Sequence, residues 1–300
     1  MTAPASAGPL QLCGIELTHP IINGSGTFDA IAALRAFGDE LIARFPFSAF
    51  VSKTITLEPR AGNPPPRLWE EGAGMINSIG LPNRGLDGFL SSDLPLLAEL
   101  GVPLIVSVMA TNAEDFARLV SAVADRDEVA GLELNISCPN VKSGLIVGEE
   151  PSETLALLRS LRPLTDKPLI AKLTPNVTDP SLIAKAAEEG GADAVSCINT
   201  IKAVALSPVD ASPWLGAGSG GLSGPAVRTI ALRQVRQVAA AVTIPTIGMG
   251  GIEHGRDAFD MLAAGAAVVA VGTASFRDAL AAERIHAELD EIGSASTVVS

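Results

Sequence analysis

The sequence predicts a (β/α)8 barrel, and three observations carry that prediction. Short apolar runs alternate with longer stretches of helical periodicity along the whole chain of 300 residues. The apolar runs are nearly continuous, as in parallel strands covered on both faces. The length suits one barrel of ~250 residues with additions. An open, doubly wound sheet is the competing arrangement. A single domain over residues 1–300 is therefore expected, with 1–9 a flexible leader and 294–300 a flexible tail.

The expected barrel strands, in order, are Ile21-Ile22, Ala49–Lys53, Pro103–Val108, Gly131–Ile136, Pro168–Leu173, Ala194–Ile198, Ile244–Ile247 and Ala267–Val271. Helical spacing places helices near Ala30–Phe37, Leu86–Leu100, Ala113–Val123, Ser152–Leu161, Pro180–Glu189, Ala226–Ala240, Arg256–Ala264 and Ala279–Ile292. Two long segments, Thr54–Arg84 and Thr200–Gly224, interrupt this alternation and are rich in glycine or proline. They read as loops, and loops of that length in a compact domain usually serve function. Gly216-Ala-Gly-Ser-Gly-Gly221 matches a dinucleotide pattern, but no clear strand precedes it, so it reads as loop glycine.

Composition narrows the function. With 33 acidic and 21 basic side chains, the net charge of −12 argues against nucleic acid as a partner. Three scattered cysteines form neither a disulfide framework nor a zinc site, and an iron–sulfur cluster generally needs four. His19, His254 and His286 lack metal-ligand spacing. No ~20-residue apolar segment suggests a membrane span, and no signal peptide is evident, so a cytoplasmic location is expected.

The chemistry gathers where strands stop. Leu132-Glu-Leu-Asn-Ile-Ser-Cys-Pro-Asn140 ends an apolar strand in amides, a hydroxyl and a thiol. Amides can hold a planar hydrogen-bonding substrate, and a thiol beside them can act as base or nucleophile. Cys138 is thus the candidate catalytic residue, while Cys13 and Cys197 read as small buried apolar groups. Ser52-Lys53-Thr54, Lys172 and Asn199-Thr200 end three further strands. One lysine there could simply snorkel, but two on one face suit a ligand carrying negative charge. Gly248-Met-Gly250-Gly251 and Gly272-Thr273 follow the last two strands, the places where barrels often cradle phosphate.

These motifs together resemble the class 1 dihydroorotate dehydrogenases. The resemblance runs from Leu12 to about Ile292 and rests on Asn23-Gly-Ser-Gly-Thr27, Ser52-Lys-Thr54, Gly62-Asn-Pro-Pro-Pro-Arg67, Asn77-Ser-Ile-Gly-Leu-Pro-Asn83, Asn135-Ile-Ser-Cys-Pro-Asn140 and Gly220-Gly-Leu-Ser-Gly-Pro225. The last motif and Glu58-Pro-Arg60 look most like the class 1B catalytic subunit. The resemblance implies oxidation of (S)-dihydroorotate to orotate in pyrimidine synthesis. FMN would contact Ser25, Lys53, Thr54, Asn135, Lys172, Ile198, Gly224, Gly250, Gly251, Gly272 and Thr273. Substrate would contact Lys53, Asn77, Ser78, Ile79, Gly80, Leu81, Asn135, Asn199 and Thr200, with Cys138 removing the C5 proton. Ser107 stands where class 1B enzymes often carry a flavin-facing asparagine, and is a further expected contact. Class 1B also implies a homodimer, or a heterotetramer whose partner subunit holds FAD and a 2Fe-2S cluster and reduces NAD+. A fumarate-linked class 1A enzyme and a dihydropyrimidine dehydrogenase-like enzyme share most of these features. A phosphosugar isomerase or aldolase barrel with Lys172 as base or Schiff-base residue, and a flavin-storing scaffold, are the readings outside the family.

Overall fold

The computed structural model describes residues 10–137 and 147–298. The expected leader therefore lies outside the described residues, as does Cys138. The strands are β1 (Leu10–Leu12), β2 (Ile15–Leu17), β3 (Ile21–Asn23), β4 (Phe50–Val51), β5 (Leu68–Glu71), β6 (Gly74–Asn77), β7 (Leu104–Val108), β8 (Val129–Asn135), β9 (Leu169–Lys172), β10 (Ala194–Cys197), β11 (Ile201–Ala203), β12 (Gly220–Ser223), β13 (Thr246–Met249) and β14 (Val268–Val271). Eight of them form one sheet in the order β3-β14-β13-β10-β9-β8-β7-β4, parallel throughout. These eight are the strands the apolar runs predict. The outer strands meet where the Asn23 side chain binds the backbone of Val51 and Ser48 binds Ile21. The sheet thus closes into a (β/α)8 barrel.

The helices are α1 (Ala30–Phe37), α2 (Asp39–Ala43), α3 (Gly85–Gly88), α4 (Leu94–Ala98), α5 (Ala113–Ala124), α6 (Pro151–Leu161), α7 (Pro180–Glu189), α8 (Arg228–Ala239), α9 (Gly255–Ala263), α10 (Ala274–Arg277) and α11 (Ala281–Val298). Their starts follow local chemistry. Asp29, Asn112 and Asp179 accept backbone N–H groups at the first turns of α1, α5 and α7. Pro151 and Pro180 open α6 and α7, where a missing N–H costs nothing. The helix expected over Leu86–Leu100 is broken into α3, a wide π turn over Phe89–Asp93, and α4. Pro95 lacks the N–H for a regular helix and crowds the preceding turn, which accounts for the widening. Helix α11 continues past the expected end at Ile292 to Val298. Among the described residues no helix is long and apolar enough to cross a membrane.

The two long insertions are not plain loops. They combine into an antiparallel sheet of order β11-β12-β6-β5 over the barrel mouth, with Gly221 opposite Asn77. This corrects the loop reading of Gly220 and Gly221, which are strand residues. A Cβ on Gly220 would sit 2.3 Å from the Asn77 carbonyl oxygen, and one on Gly221 would sit 2.0 Å from Thr200 Oγ1. Close approach selects glycine here, and a glycine strand carries no propensity signal. Trp69 and Trp214 pack edge to face at 5.2 Å beside the Ile76–Ala205–Leu215 cluster of this sheet.

The apolar core lies in two shells. The larger fills the space between strands and helices, around Leu132, Leu134, Val195 and Val269. The smaller fills the lower barrel with Ile22, Val51, Ile105, Ile170, Ile247 and Val268, and the β1–β2 hairpin seals it from below with Leu12, Ile15 and Leu17. Cys197 is wholly buried, and desolvation pushes its thiol far up. Cys13 is only partly buried. Its thiol donates to the Asp193 carbonyl at 3.1 Å, and burial with the nearby Asp193 charge raises its pKa to about 11.

Candidate active site

A cleft opens at the C-terminal ends of the barrel strands, roofed by β6 and β12. Every residue expected to hold a flavin lines it: Ser25, Lys53, Thr54, Asn135, Lys172, Ile198, Gly224, Gly250, Gly251, Gly272 and Thr273. Of the expected substrate contacts, Lys53, Asn77, Ile79, Leu81, Asn135, Asn199 and Thr200 line the same cleft. Ser78 and Gly80 do not. The Ser78 hydroxyl accepts from Asn63 at 2.9 Å, and Gly80 packs so tightly that a Cβ would lie 2.5 Å from Asn63. The tight Gly80 turn, with φ of +75°, sets the course of the chain between Ile79 and Leu81.

Lys172 does not snorkel. It is 5% exposed, donates to Ser25 Oγ at 2.8 Å and stands 3.5 Å from Glu133 Oε1. Lys53, by contrast, is exposed at the rim. Asn135 is paired in register with Lys172 across β8 and β9. Its Oδ1 is buried with no hydrogen-bond partner. A buried amide oxygen left open beside a buried ammonium marks a place for a polar ligand, because such a group normally finds a partner. Asn199 Oδ1 accepts the Thr200 N–H at 2.8 Å while its Nδ2 donates to Ser137 Oγ at 3.0 Å. Asn199 thereby ties the turn after β10 to Ser137, the residue before Cys138.

At the other end of the cleft, Gly224, Gly250 and Gly251 have φ of +88°, +126° and +74°, conformations that glycine adopts without strain. A Cβ on Gly251 would lie 2.6 Å from that of Arg228, at the first turn of α8. The glycines thus let β13 meet the start of α8, whose free N–H groups favour an anion. The whole cleft fits a flat, hydrogen-bonding ring with a phosphorylated tail. Among the described residues no cluster of His, Cys, Asp or Glu could hold a metal.

The expected flavin contact at Ser107 is not supported by its position. Ser107 is wholly buried and lies behind Thr54, bonded to Thr54 Oγ1 at 2.9 Å and donating to Glu133 Oε1 at 3.0 Å. The side chain is simply too deep in the barrel to reach the cleft wall. Sequence reasoning gave no role to Glu133, nor to Asn23 within its motif. Glu133 had a visible signal: a lone carboxylate in an otherwise apolar strand, 2% exposed in the fold. Met75, Val227 and Phe276 also line the cleft outside any quoted motif, and Leu222 and Met249 line it from within motifs read for their glycines.

Known proteins share this sequence and fold. The profile described as dihydroorotate dehydrogenase matches residues 9–292. The catalytic subunit of dihydroorotate dehydrogenase B (NAD(+)) from Citrifermentans bemidjiense is 45% identical over 284 residues, covering 94% of this chain and 92% of the relative. The same subunit from Desulforudis audaxviator is 46% identical over 286 residues, covering 94% and 91%. A crystal structure of DHODH in complex with ferulenol from Eimeria tenella shares the fold at a TM-score of 0.78 and 22% identity, covering 99% of this chain and 88% of that one. With the family profile spanning nearly the whole chain and near-complete relatives in agreement, the chain belongs to the dihydroorotate dehydrogenase family.

Proposed function

We propose that this chain oxidises (S)-dihydroorotate to orotate with FMN bound across the barrel mouth, and that its electrons reach NAD+ through a partner subunit. One observation carries the reading: Asn77, Asn135, Asn199, Lys53 and Lys172 converge on a single cleft that ends in the glycine cradle beside α8. Bound FMN would supply a two-electron acceptor that no side chain offers. Lys172 and Asn135 would hold the flavin's polar edge, the ammonium offsetting charge that develops there on reduction. The Asn77 and Asn199 amides and the exposed Lys53 suit a cyclic imide bearing a carboxylate. Cys138, the residue after Ser137, would take the proton from substrate carbon, with its thiolate as the competent base. Cys138→Ser should retain FMN and lose most turnover at neutral pH, since a hydroxyl is a far weaker base.

The relatives' name, catalytic subunit, supports a two-component assembly. On that reading the partner carries FAD and a 2Fe-2S cluster, this chain forms a homodimer within a heterotetramer, and the complex works in the cytoplasm. The first experiment is the visible spectrum of the purified chain with anaerobic dihydroorotate. A yellow protein that bleaches supports the proposal. One that stays oxidised, yet bleaches with dihydrouracil, defeats the substrate assignment. A colourless protein that takes up no FMN defeats the cofactor.

A further inference from the structure

Between the apolar lower barrel and the cleft lies a buried polar layer. Glu133, on β8, is 2% exposed. Its Oε1 accepts from Ser107 at 3.0 Å and its Oε2 accepts from Ser196 at 3.3 Å. Lys172 Nζ stands 3.5 Å from Oε1 and donates to Ser25 at 2.8 Å. Ser107 has one hydroxyl proton and gives it to Glu133, so Thr54 is the donor in the 2.9 Å contact between Thr54 and Ser107. Thr54 then turns only acceptor lone pairs towards the cleft it lines.

Burial disfavours a charged ammonium unless an opposite charge stays close. The candidates for that opposite charge are few. Among the described residues the buried charged side chains are Glu133, Lys172 and Asp257, and Asp257 lies on α9 against Arg228. From β10, Ser196 faces Glu133, while the neighbouring Cys197 thiol is kept neutral by burial. Lys53, the other cation of the cleft, is exposed.

We propose that Glu133 is a positioning residue: its carboxylate keeps Lys172 charged and aimed at the cleft, and through Ser107 it sets Thr54 as an acceptor towards the ligand. The proposal rests on the flavin reading of the cleft and adds to it a control on the flavin's electrostatics from beneath.

The test is Glu133→Gln in the FMN-loaded protein, with the flavin midpoint potential followed by spectroelectrochemistry from about pH 6 to 9. Glutamine keeps the volume and an acceptor for Ser107, but not the charge. The variant should hold FMN about tenfold more weakly. Its plot of potential against pH should gain a break where Lys172 loses its proton, absent from the wild type and absent again in Glu133→Gln/Lys172→Met. Curves of variant and wild type that superimpose overturn the proposal. If the single variant fails to fold, urea unfolding of the flavin-free double variant decides: recovered folding supports the charge pairing, and persistent instability overturns it by tying Glu133 to the serines alone. A wild type that takes up no FMN defeats the flavin reading instead, and the same flavin-free comparison still decides the hold of Glu133 on Lys172.

Discussion

Asn23 closes the barrel against Val51: its Nδ2 donates to the Val51 carbonyl at 2.8 Å, and its Oδ1 accepts the Val51 N–H at 2.7 Å. A side-chain amide carries the same donor and acceptor as a peptide. It can therefore stand in for a strand pair at the seam, where β4 is only two residues long. The first residue of the Asn23-Gly-Ser-Gly-Thr27 motif is thus a structural closure, and the next residues, Gly24 and Ser25, belong to the cleft.

Asn23→Ala leaves a buried N–H and a buried carbonyl unpaired at the seam. We expect a loss of about 2–4 kcal/mol, summed from two buried hydrogen bonds. Urea unfolding at constant slope measures it. Asn23→Asp, which buries a carboxylate against the Val51 and Gly24 carbonyls, should lose at least as much at neutral pH. Midpoints that coincide for all three proteins would remove the seam argument.

Asn135 gives the opposite pattern. Its Oδ1 has no partner to lose, so Asn135→Ala should change the stability of the ligand-free protein by less than ~1 kcal/mol. Ligand binding should suffer at least tenfold, since a direct hydrogen bond in a buried site disappears. Thermal shifts with and without FMN separate the two quantities. A variant that destabilises the free protein and binds FMN normally would make Asn135 a purely structural residue.

Gly221→Ala tests the roof. The new Cβ would land on Thr200 Oγ1, so β12 and Thr200 must shift apart where Thr200 and Leu222 line the cleft. The barrel, whose core lies in other shells, should keep its unfolding midpoint within ~1 kcal/mol of stability. The Michaelis constant for dihydroorotate should rise severalfold. An unchanged Michaelis constant would show that the roof tolerates the shift.

His19 makes stability depend on acid. Its ring stacks on His286 at 4.2 Å, and its Nδ1 accepts the Ile21 N–H. Burial first, and then the His286 charge, lower its pKa from 6.5 to about 4, with Asp290 opposing. Because the folded value is depressed, the stabilisation is complete above pH 6.5 and is lost as pH falls towards 4. The ring is partly exposed, so the loss should be about 1–2 kcal/mol rather than the full linkage value. His19→Asn keeps an acceptor for Ile21 and should flatten that limb in urea titrations at a series of pH values. Parallel limbs for the two proteins would exclude His19 as the source.

The barrel strands were legible because parallel strands buried on both faces must be apolar almost without break, and Leu104–Val108 or Val268–Val271 leave few other readings. The cleft was legible at Asn135, Lys172 and Thr200 because polar residues at the ends of such runs have few reasons to be there. The roof was not. Its strand Gly220–Ser223 is selected by crowding from Asn77 and Thr200, contacts that only the fold creates. Ser107 was misplaced for a related reason: the pattern locates it near a strand end but does not say how deep in the barrel its side chain stops.

The antiparallel sheet of the roof joins Asn77 to Gly221 across 144 residues of chain. Contacts so remote form late, after the intervening barrel units have brought the two segments together. The roof packs on its own small apolar cluster, separate from the two barrel shells, so it can open while the barrel stays intact. Its amides should therefore exchange with solvent deuterium well before those of β8 or β10, and ligand in the cleft should slow them selectively. The register of β6 on β12 couples the two insertions: one residue added inside either paired strand would turn its side chains to the opposite face of the roof.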